Sequence, residues 1–147
     1  MGTYSAKPTE VTRKWYVLDA SEATLGRLAS KAATLLTGKA KPMFTTNIDC
    51  GDYVIVINTD KLIVTGNKLD TKMYYHHSGH PGGLRETVLK DLIEKDSTKA
   101  VFEAVRGMLP ANKLRDPRLL RLKLYSGAEH DHAPQKPEIL SLVKETK

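Results

Sequence analysis

One cysteine, one tryptophan and two phenylalanines are all that 147 residues contain of those types. The lone Cys50 rules out an internal disulfide and suits a reducing compartment. It has no cysteine partner at metal-ligand spacing either. No apolar run approaches the roughly 18 residues that cross a bilayer, so no membrane-spanning helix is expected. The opening stretch MGTYSAKPTE lacks the apolar core of a secretion signal, and Ala6 stands where an acylation signal wants Ser or Thr. A cytoplasmic protein without a membrane partner is the expectation. The G-x-S-x-G pattern of a strained nucleophile is missing. Gly38-Lys39 fails as a P-loop, because Ala33 holds the first glycine position and Ala40 replaces the magnesium-binding Ser or Thr. Internal repeats, low-complexity segments and internal domain linkers are also missing.

Basic residues are abundant, and they are clustered. The net charge is +6. Arg106, Lys113, Arg115, Arg118, Arg121 and Lys123 lie in one segment with Asp116 as its single acid, giving +5. Arg27, Lys31, Lys39 and Lys41 form a second island without an acid, giving +4. The remainder therefore sums to 6 − 5 − 4 = −3. Two basic islands on a mildly acidic body point to a polyanion partner, or else to two solvated helix faces.

The 40% hydrophobic content can supply one core, and the length suits a single domain. Residues 1–13 read as an extended arm, 14–127 as a single domain and 128–147 as a polar tail lying over the surface. WYVLD (15–19) reads as a buried strand. Leu25, Leu28, Ala29, Ala32, Leu35 and Leu36 follow helical spacing, with Gly38 as the stop and Arg27 and Lys31 off the apolar stripe. YVIVI (53–57) is the continuous run of a strand covered on both faces. LIVTGNKL (62–69) suggests a short strand and a turn at Gly66-Asn67, leading into an extended segment through Tyr74. Leu84, Val88, Leu92 and Ile93 suggest a helix over 84–95, and a second is expected over 98–109, ended by Pro110. Asp116 before Pro117 suggests a capped short helix. LKLYSG (122–127) reads as a last strand. This order predicts an α/β fold: helices on both sides of a small, mostly parallel sheet of about four strands.

MYYHHSGHPGGL (73–84) concentrates three of the five histidines. His76, His77 and His80 offer three imidazoles to a metal, but neighbouring residues on an extended segment face opposite ways. A histidine base would need an orienting acid such as Asp49 or Asp52, and Ser78 beside His77 is only adjacency. Gly79-x-x-Gly82 matches the spacing of a KH loop, yet Pro81 argues against the helical setting that loop requires. Contact with a nucleic-acid backbone fits better. Gly79, Gly82 and Gly83 allow close main-chain approach, and their N–H groups, with a helix opening near Gly83, would favour anions. Tyr74, Tyr75 and the imidazoles can stack on unpaired bases or reach phosphate and ribose, unless the tyrosines pack in the core. Lys72 belongs to the same surface.

The whole pattern resembles the bacterial large-subunit ribosomal protein thirteen family. The likeness is carried in order by TYSAKP, RKWYVLDA, LGRLASKAATLLTGK, DCGDYVIVINTDKLIVTGNK, MYYHHSGHPGGL, AVRGMLPANKL and LYSGAEHDHAPQKP. The resemblance implies a three-layer α/β/α fold, binding to 23S-type ribosomal RNA, contact with neighbouring ribosomal proteins, a role early in subunit assembly, and no enzymatic activity, cofactor or small-molecule substrate. The positions it carries over are Arg27, Lys31, Lys39, Lys41, Lys72, His77, Ser78, Gly79, Gly82, Gly83, Arg106, Lys113, Arg121 and Lys123. His80 departs from the family's usual tyrosine, Ala111 from a common lysine, and Asp131 from proline. Asp116 falls where a positive charge is expected, with Arg115 and Arg118 beside it to compensate. Arg121 is expected to be a separable contact, so that Arg121→Ala weakens RNA binding without unfolding. Gly82→Val is expected to impair assembly by backbone clash. The rival readings are a regulatory RNA-binding module working off the ribosome and a histidine-metal enzyme.

Overall fold

The β-branched run Tyr53–Ile57 forms β2, an interior strand of a four-stranded sheet. The structure, a computed structural model, describes residue 2 and residues 4–142. Along the chain β1 is Trp15–Asp19, α1 Leu25–Thr37, α2 Lys68–Thr71, β3 Met73–His77, β4 Leu84–Val88 and α3 Leu89–Lys95. Then come α4 Ser97–Met108, α5 Arg115–Leu120, β5 Leu122–Leu124 and β6 Glu138–Ile139. The sheet order is β5-β2-β1-β6, and every pairing is parallel. The α/β class and the parallel four-stranded sheet match the expectation.

Parallel strands need crossovers, and right-handed crossovers decide which face each one covers. The steps from β1 to β2 and from β2 to β5 move the same way across the sheet, so α1 and α4 share one face. Leu28, Ala32, Leu36, Val101 and Val105 there bury against Leu18, Val54, Val56 and Leu122. The step from β5 to β6 runs back, so its residues cross the opposite face. On that face Trp15 and Tyr53, register partners, stack with ring centroids 4.1 Å apart. His132 of the crossing segment lies 4.9 Å from Trp15. The tail thus does more than lie on the surface: its Glu138–Ile139 becomes the sheet's edge strand. The helical part of that crossing is a single 3-10 turn, Ala133–Gln135.

Gly38 ends α1 as expected, in the left-handed region at φ 74°, its N–H donating to the carbonyls of Leu35 and Thr34. A Cβ there would lie 2.5 Å from the Cys50 carbonyl oxygen, so only glycine lets the helix end meet the Cys50-Gly51 segment.

Three expectations change. Residues 84–88 are not helical; they are β4, paired antiparallel with β3. The glycine-rich turn folds Arg85–Thr87 back against Tyr74–His76, and this pairing overrides the helical spacing that resumes only at Leu89. No helix therefore opens near Gly83. The strand expected within 62–69 shrinks to one bridge between Ile63 and Thr24, because β2 already has neighbours on both edges. α5 starts earlier than Asp116-Pro117 suggests: Leu114 is its N-cap and no side chain caps it.

Candidate nucleic-acid interface

The stretch 73–88 is a two-stranded hairpin that stands apart from the main sheet. Alternation along β3 splits the tyrosines. Tyr74 turns inward and packs on the small cluster of Leu89, Leu92 and Ala100. Burial, then the nearby negative charge of Glu103, raises its pKa. Lys72 sits over its ring, 5.6 Å from the centroid. Tyr75 points outward and is 65% exposed. His76, His77, Ser78, Gly79, His80 and Gly82 are exposed as well, and Gly83 is half-buried.

At the tip Gly79 and Gly82 adopt φ of 85° and 70°, and no protein atom lies within 4 Å of where a Cβ would stand. Strain would therefore come from the backbone angle, not from a neighbour in this chain. The expected free N–H groups are mostly spent. Gly79 N–H donates to His77 Nδ1 at 2.9 Å, and Gly83 N–H to the His80 carbonyl at 2.9 Å. Only the Gly82 N–H lacks a partner among the described residues. Because His77 Nδ1 accepts, the neutral ring carries its proton on exposed Nε2, a donor facing outward. Among the described residues no group of three or more His, Cys, Asp or Glu converges as a metal would need. His130 and His132 are tied to the sheet face through ring contacts with Tyr125 and Trp15.

The basic islands divide into outer and inner residues. Arg27, Lys31 and Lys39 are exposed, and Arg27 and Lys31 line a groove between α1 and residues 141–142. Lys41 turns inward: its ammonium donates to Asp52 at 2.6 Å and to the Thr12 carbonyl at 2.8 Å. In the second island Arg106 and Lys113 are exposed and Lys123 is half-buried. Arg115 caps α4, donating to the carbonyls of Leu109 and Pro110. Arg118 is 2% and Arg121 7% exposed. Both meet Asp49: Arg121 binds it with two nitrogens, and Arg118 Nε lies 3.6 Å from Oδ1. Arg121 also donates to the Leu36 and Asp52 carbonyls. Burial pushes the Asp49 carboxyl up, but hydrogen bonds and charge from Arg121, the Gly51 N–H and the charge of Arg118 more than offset this, so its pKa is lowered. Arg118 and Arg121 are thus interior groups that hold β5 to the loop before β2, whereas the sequence reading places them on the RNA-binding surface.

Sequence reasoning missed Lys68 and Glu103. Together with Lys72 and Tyr74 they line a cavity between α1, α2, the hairpin base and α4. The signal for Lys68 was its four-residue spacing from Lys72, which puts both on one side of a helical turn. For Glu103 there was none beyond its place on α4, opposite that helix's apolar side.

A basic α/β protein results: a parallel-sheet body with cations along α1 and α4, and an exposed glycine-rich hairpin. The chain belongs to the ribosomal protein L13 family, whose model matches residues 13–131. It is 55% identical over 142 residues to the large ribosomal subunit protein uL13 of Syntrophomonas wolfei, covering 97% of this chain and 99% of that one. The same identity holds to the protein of that name from Caldicellulosiruptor bescii, over 97% and 100%. With the Clostridioides difficile protein the identity is 50%, over 96% and 99%.

Proposed function

We propose that this chain is a structural protein of the large ribosomal subunit in the cytoplasm, binding large-subunit ribosomal RNA and supporting early subunit assembly without catalysis. Family membership supports the particle; the hairpin tip supports the mode of contact. The carrying observation is that Gly79 and Gly82 leave empty space at positive φ beside an outward histidine donor and a free Gly82 N–H. A sugar–phosphate chain can approach main chain there, where a side chain would stand in the way. Arg27, Lys31, Lys39, Lys72, Arg106 and Lys113 neutralise phosphates nearby, and Tyr75 can stack on an unpaired base. Exposed Leu120 and Ile139 offer apolar points for neighbouring ribosomal proteins.

Filter binding of the chain to a large-subunit RNA across a salt series tests this. Affinity falls steeply with salt when several phosphates are neutralised. A flat response would overturn the proposal. Sedimentation of a lysate expressing the Gly82→Val variant reads assembly directly: the variant is expected to be depleted from large subunits, and normal incorporation would remove the tip from the interface.

A further inference from the structure

The cavity between α1, α2, the hairpin and α4 measures about 400 Å³, within the size of small-ligand sites. Its floor is apolar, with Leu25, Val64 and Leu89. Lys68, Lys72, Glu103, Tyr74 and the hydroxyl residues Thr24 and Thr65 add polar groups to the lining. Glu103 Oε2 accepts from exposed Arg106 at 3.3 Å, while Oε1 has no partner among the described residues. The Tyr74 hydroxyl has no hydrogen-bond partner among the described residues; burial and the charge of Glu103 alone act on it.

Two helical glycines keep this space open. Gly26 in α1 and Gly107 in α4 both line it, and a Cβ on either would meet nothing within 4 Å. Neither has the left-handed backbone that would require glycine. Glycine inside a helix is destabilising relative to alanine. Here that cost has no return within the folded chain, since alanine would fit.

We propose that this cavity receives one unstacked nucleobase of the bound RNA, with guanine preferred. The inference rests on the RNA-binding reading above and names a subsite within it. The half-buried Tyr74 ring, with the Lys72 ammonium 5.6 Å from its centroid, gives the base an aromatic and a cationic neighbour. Lys68 and Lys72 in the lining, and Arg106 paired with the lining residue Glu103, can meet the phosphates flanking an extruded nucleotide. A carboxylate can accept from the N1–H and N2 amine of guanine together, whereas adenine presents a lone pair at N1 and cytosine only one amine. A lining with apolar residues, two lysines, a carboxylate and the hydroxyls of Thr24, Thr65 and Tyr74 suits a base carrying its own phosphate better than it suits an apolar side chain, which has no use for the lysines.

Two variants test this in the full chain. Gly107→Leu fills the cavity without changing a charge, and Glu103→Gln replaces one carboxylate oxygen by an amide donor, so the paired donors of guanine no longer meet two acceptors. Both are expected to fold with unchanged circular dichroism and to bind large-subunit RNA about tenfold more weakly, consistent with losing one base contact. For Gly107→Leu the salt slope should stay as in the parent, because no charge is changed. Parent-like affinity in both variants would overturn the subsite while leaving RNA binding intact; failure of the parent chain to bind RNA would instead overturn the reading it rests on. Amide chemical-shift titration with guanosine and adenosine monophosphates, and with inorganic phosphate as control, reads the base. Guanosine-dependent shifts at Val64, Tyr74 and Gly107 are expected; equal shifts from all three probes would refute base recognition.

Discussion

Asp49 illustrates how a charge can hide from a sequence reading. It stands 72 residues from Arg121, and nothing local announces the pair. The arginines sit among leucines in RDPRLLRLK, where charge reads as surface and leucine as core. The structure inverts this at three positions: Arg118 and Arg121 are interior, and Leu120 is 75% exposed. Removing one partner of such a buried group costs about 3–5 kcal/mol, because the other charge is left stranded. Arg121→Ala is therefore expected to lower the urea midpoint sharply, the reverse of the separable contact its sequence position implied. Asp49→Ala should do the same, and the double variant should lose less than the sum of the two. Acid acts on the same site. The Asp49 carboxyl lies below its unfolded value of about 3.9, so its contribution is complete above that value and is lost as pH falls through the lowered, folded one. Asp19, raised by burial but lowered further by hydrogen bonds from Ser21 and Asn58, adds in the same direction. Unfolding followed from pH 7 to pH 2 should show stability flat above about pH 5 and falling below about pH 4. A stability maximum in acid would contradict this.

Elements with one strong local signal were legible: the apolar stripe and Gly38 stop of α1, the β-branched run of β2, the spacing of α4. Gly38→Ala is the sharpest test at this scale. A left-handed residue with a side chain costs about 1–2 kcal/mol, and the clash with the Cys50 carbonyl adds to that. Thermal unfolding of the variant should show a clear loss; wild-type stability would mean the loop yields freely. Asp96 caps α4, accepting from the Thr98 N–H at 3.0 Å, and Asp96→Ala should cost about 1 kcal/mol in urea unfolding. Elements whose form depends on a partner were misread. Residues 84–88 carry helical spacing, yet cross-strand pairing claims them, and Leu84 ends up 54% exposed. The candidate site was half legible for the same reason. Exposed hairpin residues follow from composition, but which cations face outward depends on where Asp49 and Asp52 fall in three dimensions.

Across the whole molecule, six clustered basic residues became two exposed, two half-buried and two buried ones, so formal charge overstates what a polyanion can meet. Salt titration of RNA binding should register the difference. Arg27→Ala and Lys31→Ala are each expected to reduce the log–log slope by about 0.7–0.9, with folding unchanged. Equal slopes in parent and variants would show that α1 is not a phosphate contact. The strand order has a consequence of its own. β1 and β6 are neighbours, yet more than a hundred residues separate them in the chain. Until that segment is made, β1 can be flanked by β2 only, and Trp15 has Tyr53 against its ring but not yet His132. A chain cut short before residue 138 leaves that margin of β1 unpaired, so closing the sheet depends on residues from nearly the whole length of the described chain.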